Sequence, residues 1–379
     1  MNFRSKLPSL GTSIFSVMSK MAAENNAINL SQGFPDFPSS SELRDLVSAH
    51  MRAGHNQYAP MQGVMKLREM IAQKNLELYG VNTDPVTEIT ITVGATEALF
   101  AAITALIKPG DEAIIFEPAF DSYVADVELN GGICRFVPLT YPDYKIDWEK
   151  VKSVFNNKTR LIILNSPHNP TGAIISREDI EALRHIVQNS STFIISDEVY
   201  EHIIFDGQHE SLLKYEELRK RTFVLSSFGK TFHTTGWRIG YCIAPPELTL
   251  EFRKIHQFST FSAPTPMQHA LADFLGNKQN YIGLPGFYKQ KRDYFQSLIK
   301  PSRFKIMPCE GTFFQLLNYE EVTLESDYDL AIRLVKEVGV ASIPVSVFHH
   351  DKKDNKVLRF CFAKENSTLE AAAEKLCKI

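Results

Sequence analysis

An α/β fold, with a mostly parallel sheet covered by helices on both faces and a smaller α+β domain beside it, follows from three observations. Five short β-branched runs lie between Ile89 and Leu225, and each is apolar at every position or nearly so. The segments between them have helical length and pattern, and strands buried on both faces belong to parallel sheets sandwiched by helices. After Leu275 the texture changes to a long amphipathic stretch followed by scattered short strands and helices, the mark of a separate α+β unit. A chain of 379 residues also exceeds what one hydrophobic core usually fills.

Residues 1–40 are too short to fold alone and are expected to pack on the smaller domain. Residues 41–279 read as the large domain. Its strands are Ile89–Val93, Ala113–Phe116, Leu161–Leu164, Phe193–Ser196 and Thr222–Leu225. Residues 280–379 read as the small domain, with an amphipathic stretch over Tyr281–Ile299, strands near Gly311–Leu317 and Val357–Phe362, and helices near Asp327–Val338 and Thr368–Leu376. No internal repeat, low-complexity tract or long linker interrupts this order.

Composition narrows the function. A net charge of -3 leaves no basic field for nucleic acid or an anionic membrane, so a small-molecule substrate fits better. No apolar run of about 18 residues spans a bilayer, and Met1–Leu10 lacks the apolar centre of a signal peptide, so a cytoplasmic location is expected. Five scattered cysteines with no C-x-x-C pair read as buried free thiols. His349-His350-Asp351 precedes a polar run, Lys352 to Asn355, that reads as an exposed turn, and no metal site is expected. Dinucleotide, Walker A, serine-hydrolase and zincin motifs do not occur.

Ligands of open α/β sheets sit at the carboxyl ends of strands, and several chemistry-bearing residues fall there. Lys230, in Ser226-Ser227-Phe228-Gly229-Lys230-Thr231, follows the fifth apolar run. Lysine after glycine is commonly a solvated surface residue, but burial lowers its pKa and lets it attack an aldehyde or act as a base. Arg238 comes eight residues later and suits a phosphate. Pyridoxal phosphate carries both an aldehyde and a phosphate. Asp197 closes the fourth run, either as a helix cap or as the partner of a protonated pyridine nitrogen. Asn169 lies in the turn Asn165-Ser166-Pro167-His168-Asn169-Pro170, whose two prolines limit its freedom. Gly94-Ala95-Thr96 opens a helix whose first N–H groups can bind an anion, with Ser227 and Arg238 completing a phosphate cup. Arg359 sits inside the apolar run Val357–Ala363, as half of a buried ion pair or as a clamp for a substrate carboxylate.

Taken together these motifs resemble the fold type I pyridoxal phosphate enzymes, and specifically the class I aminotransferases. The resemblance runs from Asn29 to Ala363. Through Ser31-Gln32-Gly33-Phe34-Pro35-Asp36-Phe37-Pro38, Gln57-Tyr58-Ala59-Pro60, Ser196–His202 and Ser226–Gly240, the chain is most similar to the methionine and kynurenine aminotransferase group. The resemblance implies the three-layer, aspartate aminotransferase-like fold. It implies Lys230 as the Schiff-base lysine and proton carrier, Asp197 as the pyridinium partner, Asn169 and Tyr200 on the ring hydroxyl, and Phe120 stacked on the ring. Ala95, Thr96, Ser227 and Arg238 would hold the phosphate, with Tyr58 reaching the phosphate of a neighbouring subunit in an obligate homodimer. Gly33, Asn169 and Arg359 would hold the substrate carboxylate.

The implied reaction is ping-pong transfer of an amino group from an amino acid to a 2-oxo acid. Relatives that use dicarboxylic acids have a second arginine, where this chain has Phe258-Ser259-Thr260-Phe261, and Ile14-Phe15-Ser16-Val17-Met18 is also apolar. The resemblance thus points to methionine or an aromatic amino acid, kynurenine included. Apolar pockets separate such side chains by only about 1 to 3 kcal/mol per methylene. Two rivals are a carbon-sulfur β-lyase on the same scaffold and a cofactor-sensing regulator, although no basic helix-turn-helix segment accompanies the site.

Overall fold

The computed structural model describes residues 4–8 and 10–379; Met1–Phe3 and Ser9 of the amino-terminal segment lie outside the described residues. Helix α1 (Ile14–Glu24) leads to a short strand β1 (Ile28–Asn29), then α2 (Ser41–Arg52) and α3 (Met65–Tyr79). An alternating stretch follows: β2 (Ile89–Thr92), α4 (Gly94–Leu106), β3 (Glu112–Glu117), α5 (Asp121–Leu129), β4 (Ile133–Pro138), α6 (Trp148–Val154), β5 (Thr159–Asn165), α7 (Arg177–Val187) and β6 (Phe193–Asp197). Next come α8 (Glu216–Arg219), β7 (Thr222–Ser227), the single turn α9 (Phe228–Thr231), β8 (Gly240–Ile243), α10 (Pro246–Ser259) and α11 (Thr265–Leu275).

These strands form one seven-stranded sheet in the order β2-β8-β7-β6-β5-β3-β4, in which only β8 runs against its neighbours. The period-2 geometry of a strand divides its apolar residues between the two faces. Ile114, Ile162 and Leu164 join the core under α3, α7 and α11, while Ala113, Ile115, Leu161 and Ile163 join the core under α4, α5 and α10. The result is three layers, as expected of runs apolar on both faces. All five anticipated strands are present. Two more were not anticipated: β4 is an edge strand with alternating exposure, and β8 is only four residues long.

The rest of the chain is α12 (Gln279–Ile282), α13 (Leu284–Ile299), β9 (Lys305–Ile306), β10 (Phe314–Asn318), α14 (Asp327–Arg333), β11 (Val340–Ala341), β12 (Ile343–Pro344), β13 (Val357–Cys361) and α15 (Asn366–Leu376). The amphipathic stretch over Tyr281–Ile299 is divided between two helices that part at Gly283, with Pro285 in the first turn of the second. A four-stranded antiparallel sheet, β12-β13-β10-β9, holds this part together. Its core also takes Met18, Ala22 and Leu30, and β1 pairs in parallel with β11, Ile28 opposite Val340. Among the described residues all five cysteines are free, and Cys242, Cys309 and Cys361 are buried. The run read as an exposed turn, Lys352 to Asn355, is exposed at Lys352 and Lys353 and half-buried at Asp354 and Asn355. His349 before it is buried, while His350 stays exposed, stacks on Phe136 at 4.3 Å and bonds Glu117 through Nδ1 at 2.8 Å.

Candidate active site

Sheet register brings the strand-end residues together. Asn165 is paired with Asp197 across β5 and β6, and Ser227 is paired with Gly240, itself paired with Thr92, across β7, β8 and β2. One cavity at these ends is lined by Ala95, Thr96, Phe120, Asn169, Asp197, Tyr200, Ser227, Lys230 and Arg238. Gly33 and Arg359 join through hydrogen bonds. The Lys230 ammonium donates to the Gly33 carbonyl at 3.1 Å, and Arg359 Nη1 donates to Asn169 Oδ1 at 2.7 Å. A Cβ on Gly33 would lie 2.7 Å from Phe314, so only glycine brings this backbone so close.

The Lys230 amine lies 5.8 Å from the Tyr200 ring centre and 5.6 Å from that of Phe313. Burial, followed by smaller electrostatic effects, pushes its pKa down to about 8. Asp197 shows the opposite sign, since burial raises its carboxyl to about 6. Tyr123 donates to Asp197 Oδ2 at 2.6 Å and the Val199 N–H donates to Oδ1 at 3.3 Å, but among the described residues no cation pairs with this carboxylate within 4 Å. Sequence reasoning missed Tyr123. Its signal is the spacing Phe120-x-x-Tyr123, which sets both rings on the first turn of α5, 5.7 Å apart. It also missed Asn165, whose amide donates to the Asp197 carbonyl at 2.9 Å while its Oδ1 accepts from the Asn169 N–H at 2.8 Å. These bonds hold Asp197 and Asn169 in one frame.

At the other end of the cavity α4 begins with Gly94 at φ +73, a backbone that favours glycine, and a Cβ there would lie 2.5 Å from Arg238 Nη2. Arg238 is itself left-handed at φ +58, and its Nη2 lies 3.4 Å from Thr96 Oγ1. The helix N-terminus, a guanidinium and two hydroxyls, Thr96 and Ser227, thus converge around one space, a donor set suited to phosphate.

Arg359 is buried in β13. Its Nη2 donates to the Ser31 carbonyl at 2.8 Å, its guanidinium lies 3.8 Å over the Phe314 ring, and its Nε has no partner. Burial lowers its pKa to about 10, and among the described residues no carboxylate pairs with it within 4 Å. The buried structural ion pair weighed for this residue is therefore absent. Phe15 lies 5.1 Å from the same guanidinium and 6.5 Å from Phe120, which brings the apolar amino-terminal stretch to the site. Tyr58 is the one anticipated residue that a single chain leaves outside: it is 83% exposed. Phe258 is also away from the cavity and 86% exposed.

The residues fit pyridoxal phosphate. An amine with a depressed pKa suits the aldehyde, an unpaired buried carboxylate suits a pyridinium, and the glycine-floored cup suits the phosphate. The aminotransferase class I and II family pattern matches residues 25–376. The chain is 50% identical over 375 residues to the methionine aminotransferase of Escherichia coli K12, covering 98% of this chain and 97% of that one. It is 34% identical to a kynurenine–oxoglutarate transaminase of Dictyostelium discoideum, covering 98% and 95%. A solved Escherichia coli structure identified with a methionine aminotransferase function superposes with a TM-score of 0.98 at 48% identity over all of both chains. A Thermus thermophilus aspartate aminotransferase does so at 0.91 and 27% identity, covering 100% and 99%. The chain belongs to the class I and II aminotransferases, enzymes that depend on pyridoxal phosphate.

Proposed function

We propose that this aminotransferase takes the amino group of methionine or an aromatic amino acid, kynurenine included, and passes it to a 2-oxo acid in a ping-pong cycle. One observation carries the reading: among the described residues the buried Arg359 guanidinium has no carboxylate partner and its Nε no hydrogen-bond partner, and aromatic rings of Phe314 and Phe15 surround it. A buried cation without an anion is costly, and a substrate α-carboxylate supplies the missing charge. The rings favour an apolar side chain. The similarity to methionine and kynurenine aminotransferases supports the same choice.

When bound, pyridoxal phosphate supplies an aldehyde that takes up the amino group and a ring that spreads the negative charge left at Cα. Lys230 Nζ accepts the Cα proton, and a pKa of about 8 leaves a useful neutral fraction near neutral pH. Asp197, oriented by Tyr123, keeps a proton on the ring nitrogen. Asn169 and Tyr200 would act on the ring hydroxyl, and Phe120 would lie against the ring. Ala95, Thr96, Ser227 and Arg238 would hold the phosphate, while Gly33, Asn169 and Arg359 would orient the carboxylate.

Tyr58 is assigned to the phosphate of a second subunit. Its exposed ring packs edge-on against exposed Phe261 at 5.4 Å, an aromatic pair that suits an interface in a homodimer with composite sites. We divide the chain into residues 1–40, 41–279 and 280–379; the seven-stranded sheet lying within the second and the four-stranded sheet within the third supports this division, although the two main cores share residues across the last boundary. No helix among the described residues is long and apolar enough to cross a membrane, and we assign the enzyme to the cytoplasm.

The test is a panel of amino donors assayed with several 2-oxo acids. Methionine and aromatic donors should lead. Aspartate or glutamate as the best donor would overturn the assignment, and pyruvate released from cystathionine without an acceptor would indicate the lyase. Mixed dimers of Tyr58→Phe and Lys230→Ala chains should recover one competent site, and no recovery would refute the composite dimer.

A further inference from the structure

Three histidines that no sequence motif joins come together away from the active site: His50 in the last turn of α2, His55 in the turn after it, and His269 in α11. One ring nitrogen from each lies within 4.8 Å of the others, and all three side chains are half-buried. His50 Nδ1 and His55 Nδ1 are 2.9 Å apart. The His55 and His269 rings stack at 4.0 Å with planes 20° apart, and His50 lies 5.2 Å from His269.

Asp273, one turn along α11 from His269, fixes one of these rings. Its Oδ2 lies 2.9 Å from His50 Nε2, so that nitrogen carries the proton and Nδ1 presents a lone pair toward His55. A carboxylate behind a histidine sets the tautomer and basicity of metal-ligating imidazoles in the same way. Lys66 also bonds Asp273, and its positive charge opposes a cation nearby. Two nitrogens facing at 2.9 Å share a proton in the free protein or an ion when one is present.

We propose that His50, His55 and His269 form a binding site for a divalent transition-metal ion of the zinc or nickel type, with Asp273 positioning His50. Imidazole nitrogens prefer such ions to magnesium or calcium, and three protein ligands leave a fourth position for water. The nearly parallel rings direct their lone pairs alongside one another, so seating the ion requires a ring rotation, which half-buried surface side chains allow. None of the three histidines lines the Lys230 cavity, and the inference stands apart from the substrate assignment. The ion would tie together the end of α2, helix α11 and the turn that leads to Tyr58.

The test is calorimetric titration of the holoenzyme, without a histidine tag, with Zn²⁺. One saturable equivalent per chain is expected, undisturbed by excess Mg²⁺. His269→Gln and His55→Gln should each weaken binding at least about tenfold, and Asp273→Asn about tenfold, the range seen when partners of ligating histidines are changed. Transamination by His269→Gln protein should match wild type. Absence of saturable binding, or unchanged binding in the His55→Gln/His269→Gln double variant, would overturn the proposal. X-ray absorption of the zinc-loaded wild-type protein gives an answer that does not depend on variants folding: three imidazole ligands support the site, and fewer refute it.

Discussion

Asp197 and Glu201 are two buried carboxylates only four residues apart, and their surroundings differ in kind. Glu201 Oε1 accepts from Lys74 Nζ and from the Tyr241 hydroxyl, each at 2.7 Å, and from Ser226 at 2.6 Å. Its pKa falls well below the ordinary value, with Lys74 the leading cause of stabilisation against the cost of burial. Asp197 has hydrogen-bond donors but, among the described residues, no cation within 4 Å, and burial raises it to about 6. Adjacent residues of β7 face the two environments, because a strand turns successive side chains to opposite faces: Ser226 bonds Glu201, while Ser227 lines the cavity that holds Asp197. Closed charge networks hold a fold together. Open buried charges, here Asp197, Lys230 and Arg359, leave their compensation to ligands.

The strongest test of this contrast is at Lys230. Lys230→Ala should lower multiple-turnover transamination by about 10⁴-fold or more, since it removes both the covalent anchor and the proton carrier. The melting temperature of the cofactor-free variant should not fall below that of cofactor-free wild type, because no closed network is broken. Repeated turnover near the wild-type rate would remove the central assignment.

Glu201→Gln should behave in the reverse manner. It leaves the Lys74 ammonium buried without its anion, a loss on the order of 3 to 5 kcal/mol that thermal unfolding would detect. Wild-type stability would show that Glu201 is no structural anchor.

Asp197→Asn sharpens the comparison, because in the cofactor-free protein the change should stabilise. A carboxyl raised from 3.8 to about 6 contributes stability that is complete below about pH 3.8 and is lost as pH rises through about 6. The variant should therefore unfold with a free energy higher than that of wild type at pH 8, by an amount on the order of 3 kcal/mol. In the holoenzyme the same change should slow turnover. A lower melting temperature without cofactor would place Asp197 with Glu201 among the structural charges.

The smallest effect is a pH profile. Attachment of pyridoxal phosphate to cofactor-free protein, trapped by borohydride, should speed up as pH rises through about 8, where the Lys230 amine loses its proton. A midpoint near 10.5 would mean that burial does not tune this lysine.

The doubly apolar runs predict the strands of the large sheet because burial on both faces leaves little choice of residue. Edge strand β4 escapes this reading, since one face of Ile133–Pro138 meets solvent, and β8 is too short to carry a pattern. Lys230, Asp197 and Asn169 stand out because each closes or closely follows an apolar run at a strand end, and Arg238 because it comes eight residues after Lys230. Tyr123 and Asn165 do not, because their roles come from hydrogen bonds to Asp197, 74 and 32 residues away along the chain.

The amino-acid sequence by itself determined the layered α/β scaffold, the order of its motifs and the residue types needed for amino-group transfer. Local periodicity and strand-end placement carry the scaffold and the order of the motifs, and the resemblance of those motifs to class I aminotransferases carries the chemistry. Only the tertiary structure decided which charges are compensated: Glu201 is neutralised by Lys74, Arg359 is left without an anion, and Tyr58 stands outside its own cavity. Compensation depends on distances between groups far apart in the chain, and the same long-range packing gathers His50, His55 and His269.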